Sequence, residues 1–315
     1  MPLPASQAAL ATTLSTVDDR LQPVRGKVRD ILSCGDDLLI CATDRVSAFD
    51  RVLTTIPWKG EVLTGLSLYH FENTADIVRN HVVEAVTART MRVRRCQVFP
   101  VEIVVRGYLT GSAWRDYQRT GEVSGIRLPS GMRFNQRFND PLLTPATKAE
   151  RGKHDVPISA SEVLARGMVS EEVWSEVVRT AHELYRRGGR IAADRGLILV
   201  DTKYEMGLVD NELILADEVH TPDSSRYWFA DTYQELFEAG HRQRKLDKEY
   251  LRQWLMDRGY SGEGRPPLIP DELRLELGRR YVEAFELLTG IEFRPESSSV
   301  EEESRVLSTI VDTMR

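Results

Sequence analysis

The stretch "LILVDTKYEMGLVDNELILADEVHTPDSSRYW", residues 197–228, opens with four apolar residues and then sets a charge at every second position: Asp201, Lys203, Glu205. A strand buried on both faces reads as a continuous apolar run, and a half-buried strand alternates. The segment is therefore a strand that starts inside the core and carries one polar edge further on, with Tyr204 and Met206 pointing the other way. Leu213 to Val219 can fold back as a hairpin partner and present Asp217. A two-residue turn at Asp210-Asn211 would put Asp217 on the Tyr204 side, whereas a three-residue loop from Asp210 to Glu212 would set it opposite Glu205. Carboxylates that meet across a hairpin repel unless a cation lies between them. Magnesium suits that geometry, because it takes oxygen ligands from one or two carboxylates plus substrate phosphates. A solvated strand face with Lys203 pairing its neighbours has the same pattern.

Four other stretches bear on that choice. "RGKVRD" puts Lys27 and Arg29 on one side of a strand entered through Gly26, a grip suited to a polyphosphate. "TDRVSAFD" ends a strand with Asp44, Arg45, Ser47 and Asp50, a set that local turn hydrogen bonds would also explain. "VVRGYLTGSAW" delivers Arg106 from a buried strand into a bend of small residues, Gly107, Gly111 and Ser112. "TPDSSRYW" adds Arg226 beside two serines. Two arginines next to small hydroxyl loops suit one phosphate monoester. Among the histidines, His70, His81, His182, His220 and His241 read as structural or surface residues, while His154 sits between Lys153 and Asp155 in a charged loop.

The chain of 315 residues can bury a large core and is long enough for two lobes. Its net charge of −6 argues against nucleic-acid binding, which needs a basic surface. No apolar run approaches the roughly 20 residues that span a bilayer, and the N-terminal stretch lacks a secretory pattern, so we expect a cytoplasmic protein. Cys34, Cys41 and Cys96 have no metal-binding or disulfide spacing. Walker A, GxGxxG, HExxH and GxSxG patterns are missing.

The first hundred residues read as mostly strand, with a hairpin at "CGDD" and a helix over part of residues 60–78 carrying Val62, Leu66, Tyr69 and Ile77. Residues 110–157 read as a loop-rich insert. A capping box, Ser159 with Glu162, begins the next helix. A longer one follows Ser170 and is expected to stop at Gly188-Gly189. Beyond Asp231 the pattern is helical, with one helix capped by Asp247 and another between Pro270 and Gly290.

Taken in order, "RGKVRDIL", "CATDRVSAFD", "PVEIVVRGYLTGSAW", "TPATKAERGKHD", "LILVDTKYEMG" and "DEVHTPDSSRYW" resemble the SAICAR synthetase (phosphoribosylaminoimidazole-succinocarboxamide synthase) family. The resemblance implies an α+β fold with a strand-rich ATP-binding lobe (1–108), an α/β substrate- and metal-binding lobe (109–315, helical from 231), and an active site in the cleft between them. It implies an ATP-dependent ligase of purine biosynthesis joining carboxyaminoimidazole ribonucleotide to L-aspartate, with Mg2+. By that likeness Lys27, Arg29, Asp50 and Glu102 fall on the ATP side, Arg106, Ser112 and Arg226 on the ribonucleotide phosphate, and Lys148, His154 and Asp155 on aspartate. Glu205 and Asp217 match the metal carboxylates, and Asp201 and Lys203 lie where the reacting groups meet. Asp201 is the first candidate for the base that frees the aspartate amine, and His154 the second. Met206 and Gly65 depart from the family pattern, where phenylalanine and a larger polar residue are common. Another carboxylate–amine ligase, or a regulatory paralogue without turnover, would share these motifs; the oligomeric state is left open.

Overall fold

A computed structural model describes residues 6–49, 51–148, 156–246, 249–296 and 300–314. Asp50, His154, Asp155 and the expected cap Asp247 lie outside the described residues. The fold is mixed α/β, and the chain divides into two compact units. One comprises Met1–Tyr69, His81–Arg95 and Asp247–Arg315; the other comprises His70–Asn80 and Cys96–Leu246. This differs from a single boundary at 108/109, because the C-terminal helices pack on the first unit. Leu307 and Val311 of the helix Val300–Thr313 join Leu32, Cys34, Leu39 and Cys41 in one core. Arg274 of the helix Asp271–Thr289 donates to the Thr55 carbonyl at 2.8 Å.

The first unit is built on an antiparallel sheet ordered Val24–Arg25, Arg29–Cys34, Asp37–Ala42, Thr90–Arg94, Val82–Thr87. The expected hairpin forms, with Cys34 opposite Asp37 and Gly35 left-handed at φ 58°. The helix Lys59–Asn73 stops short of Ile77. The unusual Gly65 has a packing reason within this unit: a Cβ there would lie 2.9 Å from the Phe285 ring.

In the second unit the strand Leu197–Val209 is central. Val101–Tyr108 pairs along one side of it, and Ser225–Phe229 and then Glu212–Ala216 along the other. Leu197, Leu199, Val200, Thr202, Tyr204 and Met206 are buried, which fits the apolar opening and the later alternation. Two expectations fail here. The described part of residues 110–157 is not a structureless insert, since Gly111–Thr120 is a helix and Arg137–Leu143 a strand. The helix Glu171–Ala193 runs through Gly188-Gly189, because Gly188 serves a close contact: a Cβ there would sit 2.4 Å from the His220 ring. Among the described residues no helix is long and apolar enough to cross a membrane.

Candidate active site

Along the central strand, Asp201 stands directly opposite Arg106 on one neighbour and Arg226 on the other. A bulge between Leu199 and Asp201 breaks the pairing with Ser225–Phe229 just before this point, and bulges re-aim side chains locally. Arg226 Nε donates to Asp201 Oδ1 at 2.9 Å, and its Nη2 donates to Oδ2. Arg106 Nη1 reaches Asp201 Oδ2 at 3.5 Å, and its Nε donates to Thr144 Oγ1 at 2.8 Å. Burial pushes the Arg106 guanidinium below its ordinary value; Asp201 opposes that shift and Arg226 adds to it. One carboxylate thus holds two guanidinium groups side by side, an arrangement ready for a doubly charged anion.

The helix Gly111–Thr120 begins against this pair. Gly111 has φ +60°, and a Cβ on it would lie 2.3 Å from Arg226 Nη1, so only glycine lets the guanidinium approach the helix start. Thr110, at the N-cap, makes no side-chain capping bond, and Ser112 lies half-buried in the first turn. Backbone N–H groups of a first turn lack intrahelical acceptors and favour anions. Arg106, Ser112 and Arg226, predicted together, are brought together. Thr144, which orients Arg106, carried no signal in the sequence.

Two residues along the strand, Lys203 Nζ donates to Glu102 Oε1 at 2.7 Å. Burial disfavours the ammonium, but Glu102, Glu205 and Asp217 outweigh it and hold Lys203 above the ordinary lysine value. Glu205 accepts from Lys148 Nζ at 2.6 Å on Oε2. The hairpin does not use the three-residue loop. Val209 pairs with Glu212 across a two-residue turn in which Asp210 and Asn211 have φ of 51° and 63°, as a type I′ turn requires. Glu205 therefore faces Ala216, and a regular pleat would send Asp217 to the Tyr204 side. The pleat ends first: Asp217 has φ 66°, and its carboxylate acts on Lys203 and on Cys96 together with Glu205. The register was the wrong criterion, since a left-handed residue undoes the alternation on which it relies. The segment after Asp217 is tied down from beneath. His220 Nε2 and Tyr204 Oη lie 2.7 Å apart, and Tyr227 Oη donates to the His220 carbonyl at 2.7 Å.

Among the described residues no three His, Cys, Asp or Glu side chains cluster tightly enough to enclose a metal. Glu205 and Asp217, both of which act on Lys203, would be two carboxylate ligands of the kind that magnesium takes together with substrate oxygens.

In the first unit, "RGKVRD" is not one side of a strand. Val24 and Arg25 pair with Ile31 and Asp30, which makes residues 26–29 a hairpin turn with Lys27 exposed at its tip and Arg29 at the start of the returning strand. Gly26 permits it, since a Cβ there would stand 3.1 Å from the Arg29 carbonyl oxygen.

A family model described as SAICAR synthetase matches residues 22–267 of the chain. The phosphoribosylaminoimidazole-succinocarboxamide synthase of Bacteroides fragilis is 46% identical over 280 residues, which is 87% of this chain and 89% of that protein. The enzyme of the same name from Legionella pneumophila is 42% identical over 294 residues, covering 91% and 93%. Among solved structures, a SAICAR synthase from Saccharomyces cerevisiae complexed with SAICAR is 34% identical with a TM-score of 0.80, covering 90% of this chain and all of that one.

Proposed function

The chain belongs to the SAICAR synthetase family, ATP-dependent ligases of purine biosynthesis, and we propose that it joins the carboxylate of carboxyaminoimidazole ribonucleotide to the amine of L-aspartate. A carboxylate resists an amine because oxide is not a workable leaving group. Transfer of the γ-phosphoryl group of ATP to the carboxylate releases ADP and gives an acyl phosphate. The amine then attacks the acyl carbon and phosphate departs. Alignment and charge neutralisation are what a protein adds to such a reaction.

In this reading Arg106, Arg226, Ser112 and the first turn of the helix Gly111–Thr120 take the ribonucleotide's phosphate. The observation that carries it is the clasp of both arginines by Asp201, two residues before Lys203 on the same strand. Lys203, kept charged by Glu102, stands beside the charge that develops on the transferred group. Glu205 and Asp217 would hold magnesium, which when bound withdraws charge from the phosphoryl oxygens. Lys148, His154 and Asp155 serve aspartate, and Lys27 and Arg29 serve the nucleotide's phosphates. Both oxygens of Asp201 already accept from guanidinium groups, so we assign Asp201 the role of anchor and His154 that of base. Arg226→Ala should raise the KM for the ribonucleotide at least about tenfold, the loss of one charge-assisted bidentate contact, and leave the KM for ATP nearly unchanged. Equal effects on both would contradict this division.

A further inference from the structure

Arg45 is buried in the first unit, and most of its guanidinium contacts go to backbone carbonyls of residues 26–29. Nε donates to the Lys27 carbonyl at 3.1 Å, and Nη2 donates to those of Gly26 and Arg29, each at 3.1 Å. Nη1 donates to the Ser15 carbonyl. The fork is held in place by Asp30 Oδ1 at 2.7 Å from Nη2. Asp30 is itself fully buried and accepts from Thr16 Oγ1 at 2.7 Å and from the Val17 N–H at 2.9 Å. The remaining carbonyl of the turn, that of Val28, accepts from both Thr43 Oγ1 at 2.8 Å and the Thr43 N–H at 2.9 Å. Every carbonyl from Gly26 to Arg29 is therefore bound from the protein side.

In a trans peptide the N–H points opposite to the C=O of the same plane. Carbonyls of Gly26 and Lys27 drawn toward Arg45 turn the N–H groups of Lys27 and Val28 away from it. Successive N–H groups aimed one way form an anion-binding concavity. We propose that Arg45 is a positioning residue for nucleotide binding: it touches no substrate, and it fixes the peptide planes of residues 26–29 so that their N–H groups and the Lys27 ammonium meet the nucleotide's phosphates. This rests on the reading of Lys27 and Arg29 as phosphate contacts. Lysine cannot replace it, because one ammonium has three donors on a flexible stem where the planar fork serves five acceptors.

The test is equilibrium binding of ADP and of adenosine to the full-length protein and to Arg45→Lys and Lys27→Ala, with tryptophan fluorescence confirming that each variant is folded. Arg45→Lys should weaken ADP about tenfold or more and adenosine less than about twofold, since adenosine has no phosphate for the turn to hold. If Arg45→Lys does not fold, Thr43→Val, which removes only the hydroxyl at the Val28 carbonyl, should weaken ADP by about threefold in the same selective way. Equal weakening of ADP and adenosine would make Arg45 a merely structural residue and overturn the proposal. Normal ADP binding by Arg45→Lys alongside weak binding by Lys27→Ala would also overturn it, while leaving the phosphate reading of the turn intact. Normal binding by both variants would overturn that reading, and the proposal with it.

Discussion

The segment that carries Asp217 rests on two buried histidines, and acid should undo it. His70 and His220 are fully buried in the second unit with ring centroids 4.9 Å apart. Burial pushes the His70 imidazole down to about 3, and burial together with its neighbour His70 drives His220 well below the ordinary histidine value. Gly188 is packed against the His220 ring so closely that a Cβ there would lie 2.4 Å from it. Both residues are thus neutral in the folded state, while in the unfolded chain each takes a proton near pH 6.5. The folded-state values lie below the unfolded ones, so the stability of these sites is complete above pH 6.5 and is lost as pH falls toward 3. Linkage gives a loss of RT ln(1 + 10^(6.5 − pH)) for each site, about 2 kcal/mol per histidine and about 4 kcal/mol for the pair at pH 5. That is a large part of a typical stability of about 5–15 kcal/mol. Urea unfolding followed by tryptophan fluorescence at pH 7.5 and pH 5 measures it. His70→Phe keeps an edge-on ring contact with His220 and removes one titrating site, so its loss between the two pH values should be smaller by about 2 kcal/mol. Identical losses in the variant and the native protein would refute the claim that His70 stays neutral in the fold.

Two further predictions concern the polar edge of the central strand. Asp201→Asn leaves two neighbouring guanidinium groups without their carboxylate, and removing one member of a buried ionic cluster costs about 3–5 kcal/mol; urea unfolding should show this. Its kcat should keep the native pH profile while the ribonucleotide KM rises, and a kcat loss of about 100-fold or more would restore Asp201 as the base. Glu205→Gln and Asp217→Asn should each shift magnesium titrations of activity to higher concentration without altering the unfolding midpoint. Unchanged titrations would return this face to a solvated one.

Much of the fold could be read from local pattern. The helix Asp271–Thr289 lies between Pro270 and a left-handed Gly290, as its stop signals require, and Ser159 with Glu162 forms the expected capping box. The central strand was legible because four apolar residues followed by alternation admit few other structures. The errors fall where one residue serves a distant contact. Gly188 reads as a helix stop but accommodates His220, and Gly111 reads as part of a bend but starts a helix against Arg226. The orientation of Asp217 depends on a single left-handed φ that alternation cannot encode. Lys27 and Arg29 looked like strand neighbours because the carbonyl contacts that bend residues 26–29 come from Arg45 and Thr43, which lie sixteen or so positions away. Lys203 and Glu102 lie about a hundred positions apart, and only the pairing of their strands makes them partners.

A ligase of this kind activates one carboxylate with ATP and passes it to one amine. The decisive measurement follows ADP release and product formation with magnesium present, leaving out in turn ATP, carboxyaminoimidazole ribonucleotide and L-aspartate. The carbon–nitrogen product should form only when all three are present, with one ADP released per product. Product formed at full rate when aspartate is replaced by another amine, or ADP binding with no turnover under any combination, would contradict it.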